Sequence, residues 1–468
     1  AWQLRVKKQT PHCKFGEQGV CCRICAMGPC RITPKASRGI CGCDVHGIVG
    51  RNFLKFTAGG AATHSDHGRE ICHTLYCAKD GGNYQVKDPE KLIRIAKEWG
   101  VETEGKDIYD LAHEMAEIGL MEYGKPFGYQ RFLDRMPAGQ KEKLIENEIA
   151  PRAIDREVST SLHMAHMGCS SLPEALVKQS LRCGMADGWG GSMMGTEFSD
   201  VLFGTPKPID TEANLGVMVE ENVNIVVHGH DPSLSEMICE VADSKEMIDY
   251  AKSMGAKGIT VSGVCCTSNE VAMRRGVPMA GNFLQQENVV LTGACEAIVV
   301  DVQCIFPALG PLSKCFHTKF ITTSPICQMP DSEFIEFSAG SAGEKAKQIV
   351  KLACENFKNR KPELVYIPEM KQKATVGYSV EAIVKTLDGV TNSQVDETGT
   401  TKPLLECITS GVIRGAVAMV GCNNPKIRPD SAHIELMKKL IANDIVIIAS
   451  GCSAQAAAKA GLMDKAAK

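Results

Sequence analysis

The stretch that decides the fold is NIVVHGHDPSLSEMICEVADSKEMIDYAKSMGAKGITVSGVCC, residues 224–266. It contains two short runs rich in β-branched residues, NIVV and GITVSGV, with two segments of helical apolar spacing between them. The same alternation returns later in AIVVDV, KFITT, GAVAMVG and DIVIIASG, with HIELMKKLIAND before the last of these. Strands that alternate with helices predict a parallel sheet covered by helices on both faces.

The pattern divides the chain into three parts. Residues 1–205 are predicted to form a helical domain that begins with a cysteine-rich segment. Residues 206–370 form a first Rossmann-like domain, and residues 371–468 a second one that is incomplete, with two clear strands. A polar stretch, 371–401, is expected to be a linker or a long loop. The predicted fold class is therefore multidomain α/β: an N-terminal helical, cluster-binding domain followed by two doubly wound Rossmann-like domains.

Composition and charge exclude several classes of protein. The 468 residues include 52 basic and 55 acidic side chains, for a formal net charge of −3. Proteins that bind nucleic acid or membrane surfaces usually have a basic face, so this balance argues against both. The sequence has no run of about 18 apolar residues and no apolar segment of signal-peptide length at its start. We therefore expect a cytoplasmic protein with no membrane span and no nucleic-acid partner.

Cysteine is the most informative residue type, because the chain contains 22 of them. Disulfides are rare in a reducing cytoplasm, where clustered cysteines more often bind metal. Soft thiolates select zinc, copper(I) or iron–sulfur clusters. The placement of the cysteines must decide among these metals.

Seven of the 22 cysteines lie between Cys13 and Cys43, in a segment with too few apolar residues for a core of its own. Four of these cysteines have spacings that suit a cubane iron–sulfur cluster: Cys22, Cys25, Cys30 and Cys41. Zinc is the alternative, since a C-x2-C pair also begins many zinc sites. Cys13 and Cys21 remain as half a ligand set. A two-fold axis would combine two such pairs into one site across a dimer, and the alternative is two buried free thiols.

A second set of candidate ligands follows the predicted strands, at the point where each strand ends. The residues at these five ends are His228 and His230, Cys265 and Cys266, Cys304, Cys422, and Cys452. One cysteine after a strand means little, because cysteine is often a buried core residue. Five such ends point to the crevice beyond the carboxyl ends of the strands, where open α/β sheets bind ligands. The mixed set predicts a catalytic metal–sulfur centre held between domains.

Three histidines form a stripe in the segment THSDHGREICHTLY. His64, His67 and His73 recur at spacings that keep them near one face of a helix, which Ser65 or Asp66 is expected to cap. Histidine titrates near neutral pH, so the stripe is suited to carry protons between a buried centre and solvent. The alternative is a polar helix face with ordinary surface histidines. The sequence shows no phosphate-binding loop, dinucleotide fingerprint or nucleophile elbow, so metals are expected to do the chemistry.

These motifs resemble those of one known family. The run C-x7-CC-x2-C-x4-C and the segments VHGHDPSLSE, GVCCTSNE, DVQCIFPAL, KCFHTKFITTS, VGCNNP and SGCSAQ are similar to the anaerobic nickel–iron–sulfur carbon monoxide dehydrogenases. The resemblance extends over essentially the whole chain and implies a homodimer. It also implies reversible oxidation of CO with water to CO2, two protons and two electrons. The electrons would pass through iron–sulfur clusters to a ferredoxin-type carrier.

The resemblance implies three metal clusters. Cys13 and Cys21 match the ligands of an iron–sulfur cluster shared across the dimer. An intrachain [4Fe–4S] cluster is implied for Cys22, Cys25, Cys30 and Cys41. The nickel-containing active cluster is implied for His230, Cys266, Cys304, Cys422 and Cys452. Cys43 and Cys265 are additional thiols beside these sites, and the family pattern does not require Cys43.

The histidine stripe also has counterparts in the family. His64 resembles the catalytic histidine, and His67 and His73 resemble its proton relay. Glu70 stands where many members have another histidine. Asp187, in MADGWGG, matches a nearby acidic residue.

The sequence departs from the family pattern at its C-terminal end. The family pattern continues with a further active-cluster cysteine and a catalytic lysine, and the sequence stops at Lys468 before either.

Two alternative functions remain open. The hybrid-cluster (hydroxylamine reductase-like) proteins share the fold but lack nickel. A non-catalytic electron-transfer subunit docked to an acetyl-CoA synthase is the other alternative.

Overall fold

The computed structural model describes residues 2–391 and 401–467. The chain divides into two compact units, Gln9–Leu202 on the one hand and Ala1–Lys8 with Phe203–Lys468 on the other. The first unit is mainly helical, and the second contains a large, mostly parallel sheet with helices. The predicted fold class is confirmed. No helix in the described ranges is long and apolar enough to cross a membrane.

Nineteen α-helices are described. The first nine are α1 (Trp2–Lys8), α2 (Lys14–Glu17), α3 (Val45–Tyr76), α4 (Pro89–Glu98), α5 (Ile108–Gly124), α6 (Ala138–Glu146), α7 (Ile154–Ala165), α8 (Pro173–Ala186) and α9 (Met193–Phe203). The others are α10 (Pro232–Ala242), α11 (Lys245–Ser253), α12 (Cys265–Arg275), α13 (Gln286–Leu291), α14 (Leu309–Ser313), α15 (Ala342–Asn356), α16 (Val380–Thr391), α17 (Lys402–Thr409), α18 (Ser431–Ile441) and α19 (Gly451–Lys459). A π-helix, Asp187–Ser192, joins α8 to α9.

Within the described residues, the strands form three sheets. The helical unit has a short antiparallel pair, β1 (Cys21–Cys22) and β2 (Cys30–Arg31). The second unit has β3 (Ile209–Ala213), β4 (Val223–Gly229), β5 (Ile259–Val264), β6 (Met279–Gly281), β7 (Cys295–Val300), β8 (Lys319–Thr322), β9 (Glu333–Phe334), β10 (Gln372–Val376), β11 (Gly415–Met419) and β12 (Ile445–Ala449). Eight of these strands form one sheet in the order β10-β3-β6-β5-β4-β7-β8-β9, and β11 and β12 form a separate parallel pair.

Strand β4 lies in the middle of the large sheet, and all seven of its residues are buried. A strand buried on both faces has a nearly continuous apolar run, such as residues 225–227 of β4, rather than an alternating pattern. Strands β5 and β7 flank β4 and run parallel to it. Their carboxyl ends therefore meet at the same edge of the sheet, which is the edge predicted to hold the metal–sulfur centre.

Helix α3 is the longest helix and packs against α5, α7 and α8. Its N-terminus is capped by Asp44, whose carboxylate accepts a hydrogen bond of 2.9 Å from the Gly47 N–H. The prediction that Ser65 or Asp66 caps a helix is wrong, because α3 runs without interruption through both residues. The Ser65 hydroxyl instead lies 3.2 Å from the Asp187 carboxylate and donates to it, a contact that local sequence does not reveal.

The polar stretch predicted to be a linker, 371–401, contains regular structure. Its first part forms β10 and α16, so the linker prediction is wrong there, and residues 392–400 lie outside the described residues. Strand β10 pairs antiparallel with β3, so the large sheet extends past the domain boundary predicted at residue 370. Ala374 of β10 is buried in an apolar cluster that also contains Ala213 of β3 and Ala458 of α19. The Thr375 N–H donates to the Met463 carbonyl at 2.8 Å, which places the chain after α19 along the outer edge of β10.

A buried polar network joins the small sheet of β11 and β12 to the large sheet. The Asp430 carboxylate accepts hydrogen bonds from the side-chain amides of Asn282 and Asn423, and it pairs with Lys459 at 2.5 Å. The Lys459 ammonium also donates to Gln285 at 3.0 Å. Burial raises the pKa of Asp430, but the Lys459 charge and these hydrogen bonds outweigh burial and hold the pKa below its usual value. The network therefore fixes α19 relative to the large sheet.

Candidate metal centre

The donor side chains of the predicted active centre all follow strands of the second unit. His230 directly follows β4, Cys265 and Cys266 begin α12 after β5, and Cys304 lies in the loop after β7. Cys422 lies in the loop after β11, and Cys452 lies in the first turn of α19 after β12. Each lies at the carboxyl end of a strand, as the pattern of the sequence indicated. Their function as metal ligands stays a prediction.

The structure brings the donors of the large sheet into contact. The His230 imidazole forms hydrogen bonds with the thiols of Cys266 and Cys304. The Cys304 thiol also forms a hydrogen bond with Cys265. Three neighbouring strands of the sheet, β4, β5 and β7, therefore deliver one imidazole and three thiols to one place.

The small sheet adds two more thiols to this group. Cys452 forms a hydrogen bond with Cys422. It also lies close enough to Cys266 for an electrostatic interaction that raises the pKa of Cys452. His230 is 6% exposed and Cys452 is 4% exposed, whereas Cys422 is exposed. We term the imidazole and the five thiols the strand-end cluster.

Backbone groups around His230 determine which of its ring nitrogens faces the thiols. The His230 Nδ1 atom lies 3.2 Å from the Val302 carbonyl oxygen, so Nδ1 carries the proton and donates to it. This leaves Nε2 for a metal. The buried Asp301 carboxylate holds both backbone segments, since it accepts hydrogen bonds from the N–H groups of His230 (2.6 Å) and Val302. A Cβ at Gly229 would lie 1.9 Å from this carboxylate, so the approach requires glycine.

Two of the cysteines lie on strained backbone. Cys265 has φ +66° and Cys304 has φ +61°, both in the left-handed region that favours glycine. Buried side-chain amides from other elements hold the two carbonyl groups. The Gln455 amide donates to the Cys265 carbonyl at 2.5 Å, and the Gln286 amide donates to the Cys304 carbonyl at 2.9 Å. The two glutamines therefore maintain backbone conformations that the local sequence disfavours.

The electrostatics of the strand-end cluster favour a positively charged occupant. The hydrogen bond from Cys265, with the help of His230, outweighs burial and lowers the pKa of Cys304 to about 4. Burial lowers the pKa of His230, but Cys266 and Cys304 outweigh it and raise that pKa well above its usual value. Burial and Cys304 raise the pKa of Cys265. Metal cations provide the charge that allows several buried thiols to ionise together.

The donor set fits an iron–sulfur type of cluster. Within residues 2–391 and 401–467, no three His, Cys, Asp or Glu side chains are close enough together to hold a single metal ion. A cluster has a different requirement, because each of its metals takes separate protein ligands distributed around the cluster. Thiolates with one imidazole are also the soft donors that such clusters use.

The cysteine-rich segment forms a second candidate site, within the helical unit. In the β1–β2 pair, Cys22 lies directly opposite Cys30. Both line a pocket together with Cys25, Cys41 and Cys43. The pocket has an empty volume of about 370 Å³, including the part that opens to solvent. The four cysteines predicted for the intrachain cluster therefore surround one space, which we term the N-terminal pocket.

Cys41 and Cys43 both line the N-terminal pocket, but their surroundings differ. A hydrogen bond from the Cys43 backbone and the nearby Arg51 guanidinium outweigh burial and lower the pKa of the exposed Cys41 thiol. Cys43 is 5% exposed, and burial raises the pKa of its thiol. Because thiolates are the form that binds metal, Cys41 is the better suited ligand of the two.

Cys13 and Cys21 are not among the described residues that line the N-terminal pocket. Cys13 is exposed and directly precedes α2. Cys21 precedes Cys22 on β1, and successive side chains of a strand point to opposite faces. Neither thiol therefore contributes to the lining of the pocket.

The histidine stripe lies on α3 in the helical unit. The His64 Nδ1 atom lies 3.4 Å from the Asp187 carboxylate, which also accepts a hydrogen bond from Ser65. Asp187 begins the π-helix, a conformation that is frequent at functional sites. His67 is partly buried and His73 is exposed. The structure therefore pairs two of the predicted catalytic residues, His64 and Asp187, from distant parts of the sequence.

Comparison with known proteins identifies the family. The model of the Prismane/CO dehydrogenase family matches residues 20–468. The chain belongs to the Prismane/CO dehydrogenase family. Carbon monoxide dehydrogenase 1 of Methanosarcina mazei is 46% identical, over 99% of this chain and 73% of that protein. The subunit beta of the carbon monoxide dehydrogenase/acetyl-CoA synthase of Moorella thermoacetica is 40% identical, over 99% of this chain and 69% of that protein.

A solved structure within this family has the same fold. The nickel-free crystal structure of carbon monoxide dehydrogenase from Thermococcus sp. AM4 matches with a TM-score of 0.94 at 47% identity. The match covers 99% of this chain and 72% of that one. These relatives confirm the resemblance based on the cysteine motifs, and they place the chain among the carbon monoxide dehydrogenases of the family, which are oxidoreductases.

In this member of the Prismane/CO dehydrogenase family, three residues that hold the candidate ligands in place were not predicted from the sequence: Asp301, Gln286 and Gln455. Asp301 had a usable signal, because an acidic residue directly after a buried strand lies at the ligand-binding edge of a sheet. Gln286 and Gln455 had none, since each holds a cysteine that lies far from it in the sequence.

Replacing Asp301 by leucine is expected to weaken metal binding at the strand-end cluster by about 10- to 100-fold, as loss of an outer-shell partner commonly does. The leucine cannot accept the N–H groups that Asp301 holds, so the orientation of His230 is lost. Elemental analysis of anaerobically purified protein measures the change. Asp301→Asn keeps an oxygen acceptor and serves as the control. Equal metal content in Asp301→Leu and wild type would contradict this function of Asp301.

Proposed function

We propose that this protein catalyses the reversible oxidation of CO with water to CO2, two protons and two electrons. The observation that carries the proposal is the convergence of one imidazole and several thiols in the strand-end cluster, in a chain of the Prismane/CO dehydrogenase family. A nickel–iron–sulfur cluster held by His230, Cys266, Cys304, Cys422 and Cys452 would supply a soft metal for CO, a Lewis acid for water and a store of electrons.

The chain's own residues bind and orient that cluster. Four thiolates and the Nε2 atom of His230 are the proposed ligands, and the Val302 carbonyl and Asp301 fix the ring. The strained backbone at Cys304 is held by Gln286, which keeps the thiol directed to the same place as His230. Preorganised ligands of this kind need no rearrangement during the reaction.

We assign proton transfer to the histidine stripe. His64 is the proposed catalytic histidine, and Asp187 orients it, because an imidazole whose Nδ1 faces a carboxylate presents Nε2 for acid–base chemistry. His67 and His73 follow on the same helix, and the exposed His73 is suited to exchange protons with water. Released protons would thus travel along α3 to solvent.

Electron transfer is assigned to the cysteine-rich segment. The four thiols of the N-terminal pocket are the proposed ligands of an intrachain [4Fe–4S] cluster: Cys22, Cys25, Cys30 and Cys41. Cys13 and Cys21 supply half of the ligands of a further cluster, completed by the same pair in a second copy of the chain. A ferredoxin-type carrier is the proposed final acceptor.

An apolar surface beside Cys21 supports the proposed homodimer. Val49, Phe53 and Phe56 recur at helical spacing on α3 and are 40%, 53% and 82% exposed. The amide of Asn52, on the same part of α3, donates to the Cys21 carbonyl at 3.0 Å. A contiguous apolar surface of this kind marks an interaction site, and a two-fold axis beside it would bring two Cys21 thiols together.

We further propose a cytoplasmic location, where thiols remain reduced, and an acetyl-CoA synthase as a partner. The partner is suggested by the Moorella thermoacetica relative, which is a subunit of such a complex. The hybrid-cluster alternative is less favoured, because the relatives described above are carbon monoxide dehydrogenases.

Replacing His230 by alanine is expected to reduce CO-dependent dye reduction more than about 100-fold, because the centre loses a direct ligand. The iron–sulfur spectrum of the N-terminal pocket should remain, since His230 belongs to the other unit. The assay uses strictly anaerobic protein with measured iron and nickel contents. His163→Ala, an exposed histidine on α7, is the control. Absence of nickel from the wild-type protein would overturn the proposed reaction.

Replacing His64 by alanine is expected to lower kcat by about 10²- to 10⁴-fold, the usual contribution of a general acid–base group. Asp187→Asn should lower kcat less, since the imidazole remains but loses its orienting charge. Both variants should keep the wild-type metal content. The measurement is kcat as a function of pH at saturating CO, with His166→Ala as the control. A His64→Ala variant with wild-type turnover at every pH would disprove the catalytic function of this residue.

Replacing Phe56 by glutamate is expected to separate the dimer into single subunits, because burying an unpaired charge in an apolar interface is costly. Sedimentation analysis measures the mass, and iron analysis should show loss of the shared cluster alone. Tyr366→Glu, at a residue that is 73% exposed in the other unit, is the matched control. A dimer that survives both Phe56→Glu and Phe53→Glu would show that this face of α3 is not the interface.

A further inference from the structure

Arg51 is a buried cation at the N-terminal pocket. It lies on α3, is 3% exposed and lines the pocket together with the cysteines. Its Nε atom donates to the Ser170 carbonyl at 2.7 Å, and its Nη1 atom lies 3.9 Å from the Cys41 sulfur. The guanidinium therefore faces the space that the four cysteines surround.

The charge of Arg51 has no carboxylate partner within ion-pair distance in the described residues, 2–391 and 401–467. A buried charge without an opposite charge is strongly destabilising, and native proteins pair such groups or bind a counter-ion. A guanidinium also remains protonated under all ordinary conditions. The surroundings of Arg51 therefore lack an anion, and the pocket in front of it is lined by thiols that become anionic when they bind metal.

We propose that Arg51 is the counter-ion of the intrachain iron–sulfur cluster and raises the reduction potential of that cluster. The inference rests on the proposed function, which places a four-thiolate cluster in the N-terminal pocket. Such a cluster has a net negative charge, and it becomes one unit more negative when it accepts one electron. A nearby buried cation stabilises the more negative state more strongly, so reduction becomes easier.

Other cations of the same segment do not share this position. Arg23 follows Cys22 in sequence but is exposed, and it is not among the described residues that line the pocket. Arg31 is exposed and its guanidinium lies 5.2 Å from the centre of the Phe15 ring. Water and salt weaken the interactions of exposed charges strongly and those of a buried charge much less. Arg23 therefore provides a matched control with the same charge and a different burial.

The test is an anaerobic redox titration of the intrachain cluster, followed by electron paramagnetic resonance, in the full-length protein. Arg51→Gln removes the charge but keeps an amide that can donate to Ser170, and Arg51→Met removes both. Arg51→Lys keeps the charge. We expect the ratio of reduced to oxidised cluster at a fixed potential to be at least about tenfold lower in the two neutral variants, which corresponds to about 59 mV for a one-electron couple. Arg51→Lys and Arg23→Met should stay near the wild-type potential.

Iron content separates the possible outcomes. If the wild-type pocket holds no iron, the proposed cluster is wrong, and the inference falls with it. If the neutral variants hold iron at the wild-type potential, the cluster stands and the function assigned to Arg51 is wrong. If neither neutral variant binds iron but Arg51→Lys does, the loss of cluster assembly supports the counter-ion function in place of a change in reduction potential. If Arg51→Lys also fails to bind iron, the geometry of Arg51 matters and its charge does not, which overturns the inference.

Discussion

Buried thiolates repel one another, and most features of this molecule follow from the need to hold several of them together. Metal cations remove the repulsion only where the backbone has already placed the sulfur atoms around one space. In the strand-end cluster, the thiols share hydrogen bonds with His230 and with one another. In the N-terminal pocket, the guanidinium of Arg51 lies beside Cys41. The N-terminal pocket thus has a positive charge supplied by the protein itself, whereas the strand-end cluster has the imidazole of His230 and hydrogen bonds among its thiols.

Positioning the thiols requires conformations that an isolated chain would avoid. The left-handed backbone at Cys265 and Cys304 costs of the order of 1–3 kcal/mol for each residue. The rest of the fold must offset this cost, and Gln286 and Gln455 are the groups that do so directly. These amides are effective because they lie on helices fixed by the large sheet and by the Asp430 network. The sheet and its helices therefore act as a rigid frame for ligand placement.

The sequence predicted those features in which local pattern and tertiary position agree. Residues 225–227 of β4 are all apolar because β4 is buried on both faces, and parallel topology alone places His230 near Cys266 and Cys304. Prediction failed where a distant contact decides the outcome. Ser65 has the chemistry of a helix cap, but it lies inside α3, a helix that packs against α5, α7 and α8, and its hydroxyl donates to Asp187 of the π-helix. Strand β10 was missed because only pairing with β3 makes its polar sequence a strand.

The outer edge of β10 has a consequence for whether this sheet can pair with other chains. An uncovered edge strand can pair with other chains and cause aggregation. Here the hydrogen bond from Thr375 to Met463 covers that edge with the segment directly after α19, the helix whose first turn carries Cys452. The position of α19 therefore determines both where Cys452, a candidate ligand, lies and how this edge of the sheet is covered. A chain with α19 in this position is thereby protected at β10 from strand pairing with its neighbours.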